Sequence, residues 1–220
     1  MSPMPSQMED HWVLEPGIDP GRAQLMWFMC FGGDPEVTGL AELGRARLAG
    51  LDGLDLVPSE WLHITTLIVG YADEIPANQV AAMTTHAQML LASVPPTKIT
   101  LGRVLYHPRA IMLSASPPEV LRPVLAACQE ATRAGTGRDG RLYREPWVPH
   151  ITVAYGNSSS RAAPAIQAVG KELPARQTTV TSVSLISQTP AQKFRWQLIA
   201  KVPIGTTSDI RAQICSKRGS

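Results

Sequence analysis

Cysteine is scarce in this 220-residue chain: Cys30, Cys128 and Cys215 lie far apart and form no C-x-x-C pattern. That excludes a disulfide scaffold and a structural zinc site. Cys30 and Cys128 fall in apolar periodic segments and read as small core residues, whereas Cys215 belongs to a polar tail. Charge is sparse too, at 17% of residues with a net charge of +2. This excludes the strong whole-molecule basic field that drives non-specific DNA binding and leaves room only for local basic patches. The longest early apolar run, 23–31, is too short to span a bilayer. The first 21 residues are rich in Pro, Met and acidic residues and lack the basic-then-apolar order of a signal peptide, so a cytoplasmic protein is expected. A G-x-S-x-G elbow, a P-loop, a dinucleotide glycine pattern and a His-x-His-x-His run are all missing.

What remains is ordinary in bulk, with 44% apolar residues and length enough for one substantial core that two lobes could share. Residues 1–21 read as a flexible N-terminal arm, 22–204 as a single two-lobed domain and 205–220 as a polar C-terminal tail. Apolar runs predict strands over 24–31, 61–70 and 148–156. Pro35 opens a helix to Leu48, and 50–57 forms a turn and a short strand. A second helix spans 76–94, with Val80, Met83, Ala87, Leu90 and Leu91 at helical spacing and Pro95-Pro96 to stop it. Residues 98–106 and 110–115 pair as strands around His107-Pro108-Arg109. Helices follow over 117–133 and 158–173, the latter with serines to cap it. The last strands cover 178–187 and 194–202. This mixed order predicts an α+β fold rather than a doubly wound parallel sheet.

Two copies of one word carry the chemistry: His63-Ile64-Thr65 and His150-Ile151-Thr152. On a strand, residues two apart share a face, so each copy presents an imidazole beside a hydroxyl while the isoleucine packs behind. A single His in an apolar strand reads as a hydrogen-bonded core residue. Two such copies, both strand-borne and far apart in sequence, point to a shared site around one small anion. One neutral imidazole would remove a proton from water and one protonated imidazole would supply a proton to the leaving oxygen. Thr65 and Thr152 would donate to the non-bridging oxygens of a phosphodiester. The scheme draws on no metal or other cofactor, and two histidines alone fall short of the usual three-ligand zinc site. His11 in the arm, His86 on a helix and His107 at a turn lack this context.

The copies differ in length: from His to the closing Gly, the first has one residue more, Thr66. A β-bulge just after Thr65 is therefore expected, because an unbroken strand would invert the facing of every later side chain. Trp61, on the face of His63, together with Trp147 and Tyr155 beside the second motif, are candidate surfaces for a stacked base. Arg144, with Arg138 and Arg141 in the same loop, is a candidate for phosphate contact, or keeps the loop solvated.

The paired His-x-Thr motifs resemble the 2H phosphoesterase superfamily, and within it the bacterial 2′-5′ RNA ligase-like and cyclic phosphodiesterase group. The run Val57-Pro58-Ser59-Glu60-Trp61-Leu62-His63, Pro149 before His150, and Gly70 followed by Glu74 also fit. The resemblance spans about 25–203. It implies two pseudo-symmetric lobes, each an antiparallel sheet with outer helices, around a central cleft. It also implies a hydrolase acting on 2′,3′-cyclic phosphates of RNA ends or small nucleotides, with His63, Thr65, His150 and Thr152 catalytic. A nucleotide or RNA-end binding protein without turnover, or a 2′-5′ RNA ligase, are the alternatives. No membrane and no obligate protein partner is expected. Relatives in this group carry a basic residue soon after the first motif and an Arg near the end of the second. Here those places read Thr66-Leu67-Ile68 and Ala154-Tyr155.

Overall fold

Each regular element follows from its local sequence. A computed structural model describes residues 4–143 and 145–206. In chain order it contains β1 (Gln7–Met8), β2 (Gln24–Cys30), α1 (Pro35–Leu48), β3 (Leu54–Leu56), β4 (His63–Tyr71), α2 (Ala77–Ala92), β5 (Thr97–His107) and β6 (Ala110–Ser114). There follow α3 (Arg122–Thr136), β7 (His150–Gly156), β8 (Ser160–Arg161), α4 (Ala163–Val169), β9 (Glu172–Val180), β10 (Ser182–Gln188) and β11 (Gln197–Pro203). α1 shows the local logic. The Asp34 carboxylate accepts hydrogen bonds from the Glu36 and Val37 amides, and Pro35 opens the first turn. Val37, Leu40, Ala41, Gly44 and Leu48 then form one buried stripe.

The strands assemble into two main antiparallel sheets, ordered β11-β10-β2-β4 and β3-β7-β6-β5-β9, plus a small β1-β8 pair. α2 and α3 pack on one another and cover the first sheet, while α1 covers the second and packs against α4. The α+β class and the two-lobed arrangement of antiparallel sheets with outer helices thus hold. One motif strand, β4, lies in the first sheet and the other, β7, in the second. The lobes are not sequence halves, however. The C-terminal strands β10 and β11 complete the first sheet, and β3 and α1 cross over to the second.

Four further expectations change. The arm is not free over its described part. β1 pairs with β8, Met8 is buried, and the Glu9 amide donates to the Pro108 carbonyl at 2.7 Å. That pairing occupies Ser160 and Arg161, so the helix expected over 158–173 starts only at Ala163, and Gly170 ends it. The strand expected over 178–187 is two strands. β9 pairs with β5 in one sheet and β10 with β2 and β11 in the other, with the chain crossing between sheets at Thr181. The last strand begins at Gln197 rather than at Phe194, whose positive φ of 49° breaks the extended run. Cys215 and the tail beyond residue 206 lie outside the described residues.

The bulge after Thr65 is present. Thr65 pairs with Phe28 and Leu67 with Trp27, leaving Thr66 extra. The second motif strand has the same feature: Thr152 pairs with Met112 and Ala154 with Ile111, leaving Val153 extra. The one-residue difference in length is absorbed further on, where Ile68 pairs with Met26 and Gly70 with Leu25, leaving Val69 extra.

Candidate active site

The first motif is built on a tight turn. Ser59–Trp61 forms a single 3₁₀ turn that aims the Trp61 carbonyl back at the strand it leads into. His63 Nδ1 lies 2.7 Å from that oxygen. A carbonyl only accepts, so Nδ1 carries the proton and Nε2 is left as the nitrogen able to take one. Register sets the ring's neighbours: Thr65 opposes Phe28 and His63 opposes Cys30, so Phe28 shares their face. The His63 ring stacks on Phe28 at 4.0 Å and 15°, and meets Trp196 edge-on at 5.1 Å and 81°. Burial in this aromatic box lowers the His63 pKa to about 4. The Trp61 carbonyl opposes the shift and the neighbouring His150 adds to it.

The second motif repeats the anchor. His150 Nδ1 lies 2.7 Å from the Val148 carbonyl, again two residues back, so Nε2 is again the free nitrogen. Burial lowers this imidazole's pKa as well, with the Val148 carbonyl opposing. Among the described residues no aromatic ring packs on His150, which sits in the more open setting. The motifs meet: the Trp147 indole N–H donates to the Thr65 carbonyl at 3.0 Å, tying the lead-in of one to the strand of the other. The electrostatic effect of His150 on His63 records the same nearness. Thr152 is buried and Thr65 half-buried.

Several expected substrate contacts have internal partners. The Trp61 ring packs edge-on against Trp196 at 4.2 Å, while its carbonyl holds His63. Trp147 commits its N–H to Thr65. Tyr155 is covered on one face by the His11 ring, stacked at 4.0 Å and 25°. His11, which lacked a role in the sequence reading, is thus part of the surroundings of the second motif. Burial holds its pKa near 4, with Arg109 acting in the same direction. Arg138 is paired with Glu74 at 3.0 Å, and Arg141 exchanges backbone hydrogen bonds with Ile68 along the edge of β4. Arg144 lies outside the described residues. Phe28, Trp12 and Trp196 were missed. Phe28 could have been found only by knowing that β2 pairs with β4, and Trp196 only by knowing where 189–196 runs.

That loop spans the two motifs. Trp196 seats on His63, while Phe194 meets Trp12 edge-on at 5.7 Å. Lys193 donates to Asp55 at 2.8 Å and lies 4.7 Å from the Trp12 ring centre. Asp55 also accepts from the Trp12 indole at 2.8 Å and the Asn157 amide at 2.7 Å. The Lys193 ammonium heads the groups that hold the Asp55 carboxyl below its usual range, against the opposing cost of burial.

Paired His-Ile-Thr strands brought close to one another from two antiparallel sheets with outer helices define a 2H phosphoesterase-type architecture. The family model described as the 2′-5′ RNA ligase superfamily matches residues 35–191, and the chain belongs to that superfamily. Among solved structures, TT0787 of Thermus thermophilus is similar with a TM-score of 0.61, 16% identity, and 84% of this chain against 99% of that one covered. Escherichia coli LigT complexed with 3′-AMP gives a TM-score of 0.60 at the same identity and coverage. The MHV ns2 PDE domain gives 0.56 at 14% identity, covering 76% of this chain and 99% of its own. At these identities the likeness is one of fold. The comparison with curated proteins gives no match. Among the described residues no helix is long and apolar enough to cross a membrane.

Proposed function

We propose that this chain is a phosphodiesterase that opens 2′,3′-cyclic phosphates on RNA ends or nucleotides by acid–base catalysis between His63 and His150, without a metal. The observation that carries this reading is the matched anchoring of the two imidazoles. Each has Nδ1 fixed at 2.7 Å from the carbonyl two residues back, on strands drawn together from different sheets. Both rings thereby offer Nε2, the arrangement in-line displacement at one phosphorus needs. Crystal structures of LigT with 3′-AMP and with phosphate support a nucleotide-sized, phosphate-bearing substrate.

In the proposed step, water attacks phosphorus and gives its proton to one Nε2. The bond from phosphorus to a ribose oxygen breaks, and that oxygen takes the proton of the other Nε2. The product is a phosphomonoester beside a free hydroxyl. Thr65 and Thr152 hold the non-bridging oxygens as charge builds there. His63, boxed by rings and held furthest from protonation, is the base; His150, in the more open setting, is the acid. The anionic substrate raises both pKa values on binding, and His150 has less desolvation to overcome.

The test is hydrolysis of 2′,3′-cyclic AMP in the presence of a chelator. His63→Ala and His150→Ala should each lower kcat about 10²–10⁴-fold. A 4-nitrophenyl phosphodiester, whose leaving group departs without a proton, separates the roles: His150→Ala should retain most of its turnover and His63→Ala should not. Unchanged turnover of the cyclic nucleotide in both variants defeats the assignment. Tight nucleotide binding with no hydrolysis by the unaltered protein would make it a binding protein, and joining of cleaved RNA halves would make it a ligase.

A further inference from the structure

The two motif strands are alike up to their threonines and differ just beyond. His150, Thr152 and Tyr155 oppose Ser114, Met112 and Ala110, alternate residues of β6 that share one face. The extra residue at Val153 returns Tyr155 to that face; in an unbroken strand it would point away. Tyr155 and Thr152 are then neighbours on one face, close enough for their side chains to interact. On β4 the matching place, three residues after Thr65, holds Ile68, which has no hydroxyl to offer.

The Tyr155 ring is held from outside by the N-terminal segment. His11 stacks flat on it, and Trp12 meets it edge-on at 5.5 Å and 63°. Trp12 is itself fixed through its indole N–H to Asp55, the residue opposite Tyr155 on β3. The backbone of the segment is tied at each step. The Ala162 amide donates to the Ser6 carbonyl at 3.1 Å, the Glu9 amide to Pro108 at 2.7 Å and the His11 amide to Gly156 at 2.8 Å. Arg109 donates to the Val13 carbonyl at 3.0 Å. Gly156 permits the crossing, because a Cβ there would stand 2.2 Å from the Glu9 carbonyl oxygen. Residues 6–13 and Lys193 all lie outside the 35–191 matched by the family model.

We propose that residues 6–13 form a built-in strap whose His11 and Trp12 are positioning residues for the second motif: they fix the Tyr155 ring, and Tyr155 orients the Thr152 hydroxyl toward the reacting phosphate. The proposal rests on the reading of Thr152 as a donor to a phosphate oxygen. The strap touches no substrate. It limits the rotation of one hydroxyl, and a hydroxyl aimed in advance is worth more in the transition state than one that must be ordered there.

Three variants of the full chain test it. His11→Ala removes the stacked face, His11→Phe keeps a ring in its place, and Tyr155→Phe keeps the stack but removes the hydroxyl. With 2′,3′-cyclic AMP, His11→Ala and Tyr155→Phe should each lose about tenfold to a hundredfold in kcat with little change in KM. His11→Phe should restore turnover to near that of the unaltered protein. A lower melting temperature in His11→Ala with kcat unchanged would make the strap merely structural and overturn the proposal. A second measurement needs no turnover: the Thr152 side-chain rotamer, read from three-bond couplings in labelled protein. It should be single in the unaltered protein and in His11→Phe, and averaged in His11→Ala and Tyr155→Phe. Averaging in those two variants, with an unaltered protein that hydrolyses nothing, would defeat the phosphodiesterase reading and uphold the strap. A single rotamer in all four proteins overturns the strap whatever the activity.

Discussion

β4 and β7 begin with the same three residues, take the same bulge one residue later, and anchor their imidazoles through the same backbone contact. They are nevertheless furnished in opposite ways. β4 holds its histidine between Phe28 and Trp196, with Trp61 packed on Trp196 and Ile68 three residues beyond its threonine. β7 leaves its histidine in the more open setting and instead supports its threonine through Tyr155, His11 and Trp12. The surroundings of one copy enclose an imidazole between rings; on the proposed reading, those of the other aim a hydroxyl. Two equal motifs can thus divide an acid–base reaction, because a division of labour needs the two environments to differ.

The largest effect that tests this comparison is the unequal response of the two histidine variants to a substrate whose leaving group needs no proton. Equal losses would mean the two environments are functionally interchangeable. Next come the glycines that close the strands. Gly156 closes β7 for lack of space. Gly70 closes β4 with a φ of 151°, and a Cβ added there would meet only ordinary contacts, the nearest at 3.5 Å. Gly156→Ala should therefore cost about 1–3 kcal/mol by overpacking and release the strap, seen as new proteolytic cleavage within residues 6–13. Gly70→Ala should cost a similar amount, about 1–3 kcal/mol, through backbone strain and leave the strap protected. Cleavage in both, or in neither, would break the distinction.

A smaller effect lies at the bulges. Thr66 is buried, and its hydroxyl has no hydrogen-bond partner, whereas the matching residue of β7 is Val153. Thr66→Val should stabilise the protein by about 1 kcal/mol, and Val153→Thr should destabilise it by about 1–3 kcal/mol. Chemical denaturation reads both, and a loss of stability in Thr66→Val would mean that the hydroxyl is satisfied in solution.

The pH response is slight near neutrality and grows below it. His63 and His11 have folded pKa values near 4 against an ordinary 6.5. Between those values the unfolded chain binds protons that the native protein does not, so stability falls as pH falls from about 6.5 toward 4. Thermal melts should show this fall, and His11→Phe, which removes one of the imidazoles with a lowered pKa, should make it shallower. An identical slope in the variant would show that His11 is not held neutral by its stacking on Tyr155.

Much of this was legible in the chain. The α1 helix and the β5–β6 hairpin match their expected places because their signals are local: Asp34-Pro35 starts one and His107-Pro108-Arg109 turns the other. The bulge after Thr65 was expected from counting residues, yet the extra residue that the count detects is Val69; the bulge after Thr65 has a twin at Val153, and a length difference reports only what is unequal between copies. The stretch 178–187 deceived because alternation continues through Thr181 while the chain changes sheets, and burial on either sheet looks the same in sequence. The helix over 158–173 was shortened by backbone pairing of Ser160 and Arg161 with Met8 and Gln7, at the far end of the chain, which no local pattern encodes.

Sequence by itself determined that each motif presents an imidazole and a hydroxyl on one face, since a strand's two-residue period needs nothing beyond the residues themselves. Only tertiary structure decided that β4 and β7 lie in different sheets and meet, that Trp196 and Phe28 enclose one histidine, and that His11 lies on Tyr155. Those outcomes depend on contacts between segments far apart in the chain, where burial and close packing, not local preference, select the partner.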